Sequence, residues 1–280
     1  MRLELFAPAK LNLHLSVGPP RADGYHPLVT LMQPLDVGDR LVIETGRPGL
    51  RFSCNLPELA GEDNLVVRAA CAWYEAAGKE PGIAIQLDKQ IPVAAGLGGG
   101  SSDAAATLLG LNALHGSPLE PRRLYELACS LGADVPFFLA GCTALCTGIG
   151  EVVQPLPEFP RLDYVLLNPG LAVSTARIYR QFDLHWTKPE SSYRINRSHH
   201  EGTFWEGLLI NDLEAVTLAL HPVLAELKEA LRGAGARGVL MSGSGPTLFG
   251  VFDSPDQAVR AADSLACGHP SCWVRPCRGL

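Results

Sequence analysis

The sequence predicts a fold of mixed α/β (α+β) class, with enough chain for one large or two modest domains. Its 280 residues can bury a full core. Several segments alternate apolar and polar residues as a strand does, whereas others are apolar stretches between capping residues and glycines, which is typical of helices. Prolines at 155, 157 and 160 mark the best boundary, so we expect a first lobe over residues 1–155 and a second over 156–280.

Composition and charge exclude several classes of protein. The formal net charge is −6 and the pI is about 5.8, whereas general nucleic-acid and membrane-surface binders need basic surfaces. Charges at Arg2, Glu4 and Lys10 interrupt the apolar run that a signal peptide needs. The longest uncharged stretch, residues 135–150, is shorter than the roughly 18 apolar residues of a membrane span. We therefore expect a soluble cytoplasmic protein that binds neither nucleic acid nor membranes.

The eight cysteines form no recognisable disulfide or metal pattern. No Cys-x-x-Cys pair occurs, and Cys71 and Cys129 lie in helix-like apolar stretches, where a thiol acts as a small hydrophobic group. The cluster from Cys267 to Cys277, which includes His269, matches the spacing of no familiar zinc site. We expect most of the cysteines to be buried and reduced.

The segment over residues 9–17 is the first predicted strand. Alternate positions place apolar side chains on one face and polar side chains on the other. The apolar face consists of Leu11, Leu13, Leu15 and Val17, and the polar face of Lys10, Asn12, His14 and Ser16. The polar face suits either a solvent-exposed strand, which is the commoner case, or the floor of a polar cleft. The glycine-rich stretch described below favours the cleft.

Between this strand and the glycine-rich stretch, the sequence predicts a turn, short strands and one helix. The turn over residues 21–26 contains an Asp-Gly pair, which is typical of an exposed hairpin connection. Asp63 or Asn64 can begin a helix that Gly78 ends. Lys89, at the end of the last strand, is most simply a surface residue. The predicted elements are strands at 28–35, 40–45, 50–54 and 83–87 and a helix at 65–77.

A glycine-rich stretch from Pro92 to Asp103 is the centre of the sequence. Its glycines, at positions 96, 98, 99 and 100, remove the Cβ atoms that would keep a ligand from the backbone, and they allow positive φ angles. A helical segment from Ala104 to His115 follows, with residues 101–103 suited to capping it and Gly116 to ending it. The N–H groups and dipole of a helix N-terminus favour a phosphate there. The alternative is a tight turn that only begins a helix.

Two common phosphate-binding motifs are excluded. A Walker A loop needs a lysine after its last glycine, and none follows Gly100. The dinucleotide fingerprint needs a glycine or alanine at the position of Ser101. The hydroxyl groups of Ser101 and Ser102 remain suited to binding phosphate oxygens or a metal ion.

The second half of the sequence contains one carboxylate in unusual surroundings. Asp134 follows a helix at 122–131 and lies among apolar residues, although its local sequence suits a helix cap equally well. Residues 186–206, with His199 and His200, show no periodicity and predict a mobile loop. Gly243 to Gly245 read as a hairpin turn. The other predicted elements are strands at 165–167, 239–241, 248–252 and 273–274, a helix at 211–231 that breaks near Pro222, and a helix at 255–267.

Five motifs occur in the order that characterises one protein family. They lie at residues 8–13, 21–26, 92–103, 132–136 and 240–246. Together they resemble the GHMP small-molecule kinases, and the Gly-Gly-Gly-Ser-Ser-Asp-Ala-Ala segment resembles a branch that phosphorylates a cytidine-linked sugar alcohol. Ala94, where a glycine is frequent, is the main departure. The resemblance implies two lobes, an N-terminal one like ribosomal protein S5 and a C-terminal ferredoxin-like one.

The resemblance also implies a reaction. ATP would donate its γ-phosphoryl group, with Mg²⁺ as cofactor, to the 2-hydroxyl of 4-diphosphocytidyl-2-C-methyl-D-erythritol, in the non-mevalonate route to isoprenoid precursors. Asp134 would be the general base, and Lys10 would keep it ionised and stabilise charge on the transferring oxygen.

The remaining site residues follow from the same resemblance. The acceptor site would consist of Asn12, which orients the hydroxyl, of Tyr25 and Tyr179 on the cytosine ring, and of His26 on the base edge. Ser102, or Ser101, would bind Mg²⁺. The ATP site would consist of Asn64, Lys89, Pro92, Val93, Ala94, Ala95, Gly96, Leu97, Gly98, Gly99, Gly100, Ser101 and Ser102.

Two other functions stay open. A GHMP kinase that acts on homoserine, mevalonate or a sugar would share the glycine-rich stretch and Asp134, but it would not need Tyr25 and His26. A catalytically silent nucleotide-binding regulator would have no chemical reason to keep Lys10, Asn12 and Asp134 together. We expect the protein to be a monomer or a weak homodimer.

Overall fold

The computed structural model describes residues 1–46, 48–184 and 205–280. The chain divides into two compact units, each assembled from separate stretches of sequence. The first unit contains Met1–Ala9, Val37–Ile91 and Gly98–Gly141, and the second contains Lys10–Asp36, Pro92–Leu97 and Cys142–Leu280. Because the units interleave along the chain, they do not test the lobe boundary predicted at residue 155.

Two long strands contribute residues to both units. They are β1, Arg2–Val17, and β2, Leu28–Thr45. The sequence predicted two strands where the structure has the single β2, so that prediction is wrong. Gly38 explains the continuity, because a Cβ atom at this position would overlap the carbonyl oxygen of Ala7 on β1. A residue that looks like a strand breaker in sequence therefore permits close approach of two strands.

The first unit packs helices on a small sheet. Strand β3, Gly49–Cys54, runs parallel to β4, Gly82–Asp88, and β4 is antiparallel to residues 40–45 of β2. The helices α1 and α2 pack on each other, and α2 also packs on α3 and α4. The four helices are α1, Leu65–Ala77; α2, Gly99–Leu114; α3, Pro121–Leu131; and α4, Val135–Ala140.

The second unit contains short strand pairings and a separate antiparallel sheet. Residues 14–15 of β1 run parallel to β8, Ile210–Asn211. Residues 30–32 of β2 are antiparallel to β5, Ala144–Thr147. Strand β5 is also antiparallel to β6, Val152–Pro155. The separate sheet has the order β11-β7-β10-β9. Its strands are β7, Asp163–Asn168; β9, Gly238–Met241; β10, Leu248–Phe252; and β11, Trp273–Arg278.

Helices cover the four-stranded sheet and form its core. Helix α8 packs on β7, β10 and β11, and α7 packs on β9 and β10. Buried residues such as Leu167, Leu227 and Leu265 belong to one continuous hydrophobic cluster. The helices of this unit are α5, Thr175–Leu184; α6, Glu214–Leu220; α7, Val223–Gly233; and α8, Pro255–Gly268. The mixed class predicted from the sequence is confirmed.

Most predicted helices end at the expected residues. The side chain of Asn64 accepts the N–H of Val66 at 2.9 Å to begin α1, and Gly78 ends it with a φ of 61°. Helix α2 begins at Gly99, earlier than predicted, because Gly98 takes the N-cap position with a φ of 71°. Helix α4 was not predicted, since its proline and paired phenylalanines show no helical period, although proline is well tolerated in a first turn.

Other expectations concern segments outside these elements. The segment 186–206, predicted to be a mobile loop, lies outside the described residues except for Trp205, which is buried, and Glu206. All eight cysteines are free, but the expectation that most are buried is wrong, because only Cys146 and Cys277 are buried. Four others are partly buried, and Cys71 and Cys267 lie on exposed faces of α1 and α8. Among the residues that the structure describes, no helix is long and apolar enough to cross a membrane.

Candidate active site

The N-terminus of α2, in the first unit, is built from glycines. Gly98 is the N-cap, and no side chain caps the helix. Gly99 and Gly100 form the start of the first turn, so their N–H groups can be approached without obstruction by a Cβ atom. Ser101 to Asp103, which the sequence suggested as caps, lie inside the helix instead. The arrangement is that of an anion site at a helix N-terminus.

Ser102 presents a hydroxyl group at this helix start. Its Oγ atom is buried and has no hydrogen-bond partner within the described part of the chain. Buried hydroxyl groups are nearly always hydrogen-bonded, so this atom suits an external ligand. A phosphate oxygen or a Mg²⁺ ion is chemically matched to it, which fits the metal ligand expected from the sequence.

The preceding part of the glycine-rich stretch, residues 92–97, belongs to the second unit. Gly96 has a φ of 77°, and a Cβ atom there would overlap the carbonyl oxygen of Ser242. The Oγ of Ser242 donates to the carbonyl of Gly96 at 2.9 Å. The turn at 242–245 therefore lies against Gly96 of the glycine-rich stretch. Ala94, where the family often has glycine, adopts a φ of 51°, which is strained for a residue with a Cβ atom.

Asn211 fixes this turn, and the sequence analysis missed it as a site residue. Its Nδ2 donates to the carbonyl groups of Met241 and Gly243, both at 2.7 Å. Its Oδ1 accepts the N–H of Leu213 at 2.9 Å, just before α6. The only sequence signal was an asparagine before a helix, which any N-terminal cap would also produce.

The polar face of β1 is buried in the second unit. Lys10 and Asn12 are each 4 % exposed, which rules out the solvent-exposed strand. The Nζ of Lys10 donates to Oδ1 of Asn12 at 2.5 Å, and Nδ2 of Asn12 donates to Oγ1 of Thr30 at 2.8 Å. The N–H of Lys10 also donates to the carbonyl of Leu97 at 2.9 Å. The structure thus brings the predicted Lys10 and Asn12 together beside the glycine-rich stretch.

Asp134 lies in the first unit, immediately before α4. Its backbone holds the N-cap position, but its side chain makes no capping hydrogen bond. The residue is half-buried. The alternative that this carboxylate merely caps a helix is therefore not supported.

Three of the predicted acceptor-site residues lie in the second unit near one another. Tyr25 is 58 % exposed, so its ring face is available for stacking. The ring of His26 lies 5.3 Å from that of Tyr179. The Nδ1–H of His26 donates to the carbonyl of Gly18 at 2.9 Å, and its Nε2 lies 3.0 Å from a carboxylate oxygen of Asp183. Both ring nitrogens are thus occupied, and a base edge would have to compete with Asp183.

The two predicted adenine-site residues have structural partners. Asn64 caps α1, and its Nδ2 donates to the carbonyl of Leu59 at 2.8 Å. Lys89 is not the surface residue that its local sequence suggested, because its side chain is buried and its Nζ binds the carboxylates of Asp39 and Asp103 at 2.5 and 2.8 Å. Burial opposes the charge of Lys89, but the two carboxylates outweigh it and raise the pKa of its ammonium group.

Asp103 gives the first unit a pH-dependent stability. Burial, together with the nearby Asp39, raises the pKa of Asp103 to about 7 although Lys89 opposes the shift. A carboxyl group whose pKa is raised by folding contributes stability below its unfolded pKa near 3.8, and this contribution is lost as the pH rises through about 7. We expect Asp103→Asn to remove this loss, so that the variant gains stability relative to the unsubstituted protein between these pH values. Urea unfolding of both proteins between about pH 4 and pH 7 checks this prediction. It would be contradicted if the free energies of unfolding of the two proteins changed in parallel with pH.

Comparison with known proteins gives two family matches. The model for the GHMP kinases N terminal domain matches residues 64–142, and the model for the GHMP kinases C terminal domain matches residues 195–270. The first match includes Asp134 and the whole glycine-rich stretch.

Individual relatives agree with these matches. A protein of Geobacter sulfurreducens named 4-diphosphocytidyl-2-C-methyl-D-erythritol kinase is 46% identical over 94% of this chain and 95% of its own length. A protein of the same name from Thermus thermophilus is 44% identical over 94% of this chain and 92% of its own length. A crystal structure of 4-(cytidine 5'-diphospho)-2C-methyl-D-erythritol kinase superposes with a TM-score of 0.83 at 42% identity, covering 99% of this chain and 100% of that one. A homoserine kinase from Cytophaga hutchinsonii, at 21% identity and a TM-score of 0.68 over 100% of this chain and 94% of its own, shares the fold.

Proposed function

Since the chain belongs to the 4-diphosphocytidyl-2-C-methyl-D-erythritol kinases, a branch of the GHMP kinases, we propose that its acceptor is the 2-hydroxyl of 4-diphosphocytidyl-2-C-methyl-D-erythritol. The chain is a kinase with ATP as its phosphoryl donor. The products would be ADP and the 2-phosphate, within the non-mevalonate route to isoprenoid precursors. The observation that carries the proposal is the identity of 44–46% to relatives named as this kinase over 94% of the chain, and the glycine-led N-terminus of α2 supplies an anion site for the nucleotide phosphates. We expect the enzyme to act in the cytoplasm as a monomer or a weak homodimer.

The glycine-rich stretch would hold the nucleotide phosphates. Residues 96–102 would contact the phosphates, and the dipole of α2 favours negative charge at this end. Ser102 would do so through its hydroxyl group, because its N–H donates to the carbonyl of Gly98 at 2.9 Å. Ser102, with its unpartnered hydroxyl group, would bind Mg²⁺, and Ser101 is the second candidate. When bound, Mg²⁺ neutralises charge on the phosphate oxygens.

Two charged side chains would carry the chemistry. Asp134 would accept the proton of the attacking 2-hydroxyl, and Lys10 would stabilise the negative charge that develops on the transferring oxygen. Asn12 holds the ammonium group of Lys10 through its Oδ1, so it fixes the direction in which that charge points. It would also orient the acceptor. Phosphoryl transfer needs mainly positioning and charge neutralisation, which this division of work supplies.

Tyr25, His26 and Tyr179 would recognise the cytidine group. An exposed ring such as that of Tyr25 can stack on a base, and base stacking contributes about 1–3 kcal/mol. Stacking does not discriminate between bases, so selectivity would need a hydrogen bond from the His26 region. Asn64 and Lys89 remain the proposed adenine-side residues, with Lys89 acting through its carboxylate partners.

The test is an assay of ADP release with four acceptors. Turnover with diphosphocytidyl-methylerythritol, and none with homoserine, mevalonate or galactose, would support the proposal. Turnover with another acceptor would retain the GHMP fold and reject the cytidine site. ATP binding without turnover on any acceptor would favour the silent regulator.

Tyr25→Ala should affect the KM for the cytidine acceptor but not the KM for ATP. We expect the KM for the cytidine acceptor to rise about tenfold, because a stacked ring is lost, while the KM for ATP stays within about twofold. Tyr25→Phe keeps the ring and should behave like the unsubstituted enzyme. Steady-state kinetics with each substrate varied in turn checks this, and equal effects of the two variants would contradict it.

A further inference from the structure

A buried group of three charged side chains holds both ends of the glycine-rich stretch. Asp39 lies on β2 and is fully buried. Its Oδ1 accepts the N–H groups of Gln90 and Ile91, at 2.6 and 2.8 Å, just before the stretch begins. Its Oδ2 accepts a hydrogen bond from Nζ of Lys89 at 2.5 Å. One side chain thus fixes the chain segment that enters the loop.

Lys89 extends this contact to the other end of the stretch. Its Nζ donates to Oδ2 of Asp103, in α2, at 2.8 Å. A Cβ atom on Gly99 would lie 3.0 Å from the same Nζ, so the ammonium group lies directly beneath the start of the helix. The side chains of Asp39, Lys89 and Asp103 are 0 %, 5 % and 3 % exposed, and the ammonium group of Lys89 is bound by both carboxylates.

We propose that Asp39, Lys89 and Asp103 form a clamp that positions the first turn of α2 for the nucleotide phosphates without touching the nucleotide. The proposal rests on the function proposed above. The three are positioning residues, and all of them lie in the first unit. A loop whose two ends are already fixed loses less conformational freedom when a ligand binds, so its affinity for that ligand is higher.

A contribution to folding stability does not by itself explain why Asp39, Lys89 and Asp103 are buried together. Two carboxylates face one ammonium, so once Asp103 ionises, as the pH rises through its pKa of about 7, the buried cluster carries surplus negative charge, which is costly in a protein interior. The Oδ1 of Asp103 has no hydrogen-bond partner among the described residues. The same carboxylates lie beneath the proposed anion site, and Lys89 is the cation paired with them in the described part of the chain. A cluster selected for stability would omit Asp103, whereas a clamp needs it as the link to α2.

Asp103→Ala is the decisive variant because its effects on stability and binding should have opposite signs. It leaves the charge-balanced pair of Lys89 and Asp39, and alanine is the best helix former, so the melting temperature should stay the same or rise. Losing a hydrogen bond to a charged group should raise the KM for ATP and the Kd for ADP about tenfold. Asp103→Asn keeps an oxygen that can accept from Lys89, and both constants should stay within about threefold.

Ile83→Ala is the matched control. This fully buried residue lies on β4, the strand that leads to Lys89, and its truncation should lower the melting temperature without changing the KM for ATP. Calorimetric titration with ADP, steady-state kinetics and thermal unfolding supply the readouts. Unchanged ADP affinity in Asp103→Ala, or a raised KM for ATP in Ile83→Ala, would overturn the clamp. Normal ADP binding without turnover in the unsubstituted protein would overturn the proposed reaction but leave the clamp testable by affinity.

Discussion

Asp134→Asn is expected to lower kcat by about 10²–10⁴-fold while the KM for ATP and the stability change little. The amide has the same shape as the carboxylate but cannot take the proton of the attacking hydroxyl. Because the Asp134 side chain does not cap α4, its replacement removes no capping hydrogen bond from that helix. A loss of rate with a folded, ATP-binding protein is therefore the signature of a missing base.

The control for this variant is an aspartate that is more deeply buried than Asp134. Asp163 lies on β7, and its carboxylate is 3.6 Å from Arg278. Asp163→Asn should leave kcat within about twofold, although it removes an ion pair. Both variants are compared with the cytidine acceptor at saturating ATP. Turnover of Asp134→Asn within about threefold of the unsubstituted enzyme would show that the base is another group.

Some features of the candidate site could be predicted because the residues that indicate them are neighbours in the sequence. The alternation along β1 placed Lys10 and Asn12 on one face, and the glycines predicted a helix N-terminus open to an anion. Asp134 has apolar neighbours, but its local sequence suited a helix cap equally well, and its proposed role as the base comes from the family resemblance. For the first two features the physical cause, a strand period or a missing Cβ atom, is visible in a short window of sequence.

Contacts between distant residues could not be predicted in the same way. Lys89 looked like a surface residue because its partner Asp39 comes fifty positions earlier and lies on a different strand. Asn211 looked like an ordinary residue before a helix because the carbonyl groups it binds come thirty positions later. Gly38 suggested a break in β2, since the neighbouring Ala7 that requires glycine is on another strand. Burial and hydrogen bonding determine the roles of these residues, and both depend on the completed fold.

Gly96→Ala is expected to give the second large effect, on both stability and nucleotide binding. The substitution puts a side chain on a backbone with a φ of 77° and forces its Cβ atom into the carbonyl oxygen of Ser242, which is itself backbone and cannot rotate away. Positive φ costs an alanine roughly 1–2 kcal/mol, and overpacking adds about 1–3 kcal/mol. Displacing the turn at 242–245 should also move the phosphate-binding stretch, so kcat/KM for ATP should fall about 10²-fold.

Gly116→Ala separates the strain of the dihedral angle from the steric clash. Gly116 has a φ of 78°, nearly the same as Gly96, but no atom lies within 4 Å of a Cβ atom placed there. Its substitution should cost only the roughly 1–2 kcal/mol of the left-handed conformation and leave the kinetics within about twofold. Ala94 shows that the stretch already accommodates a Cβ atom at positive φ where space is open. If urea unfolding and ATP kinetics gave the same result for both glycines, the contact between Gly96 and Ser242 would not be what restricts position 96 to glycine.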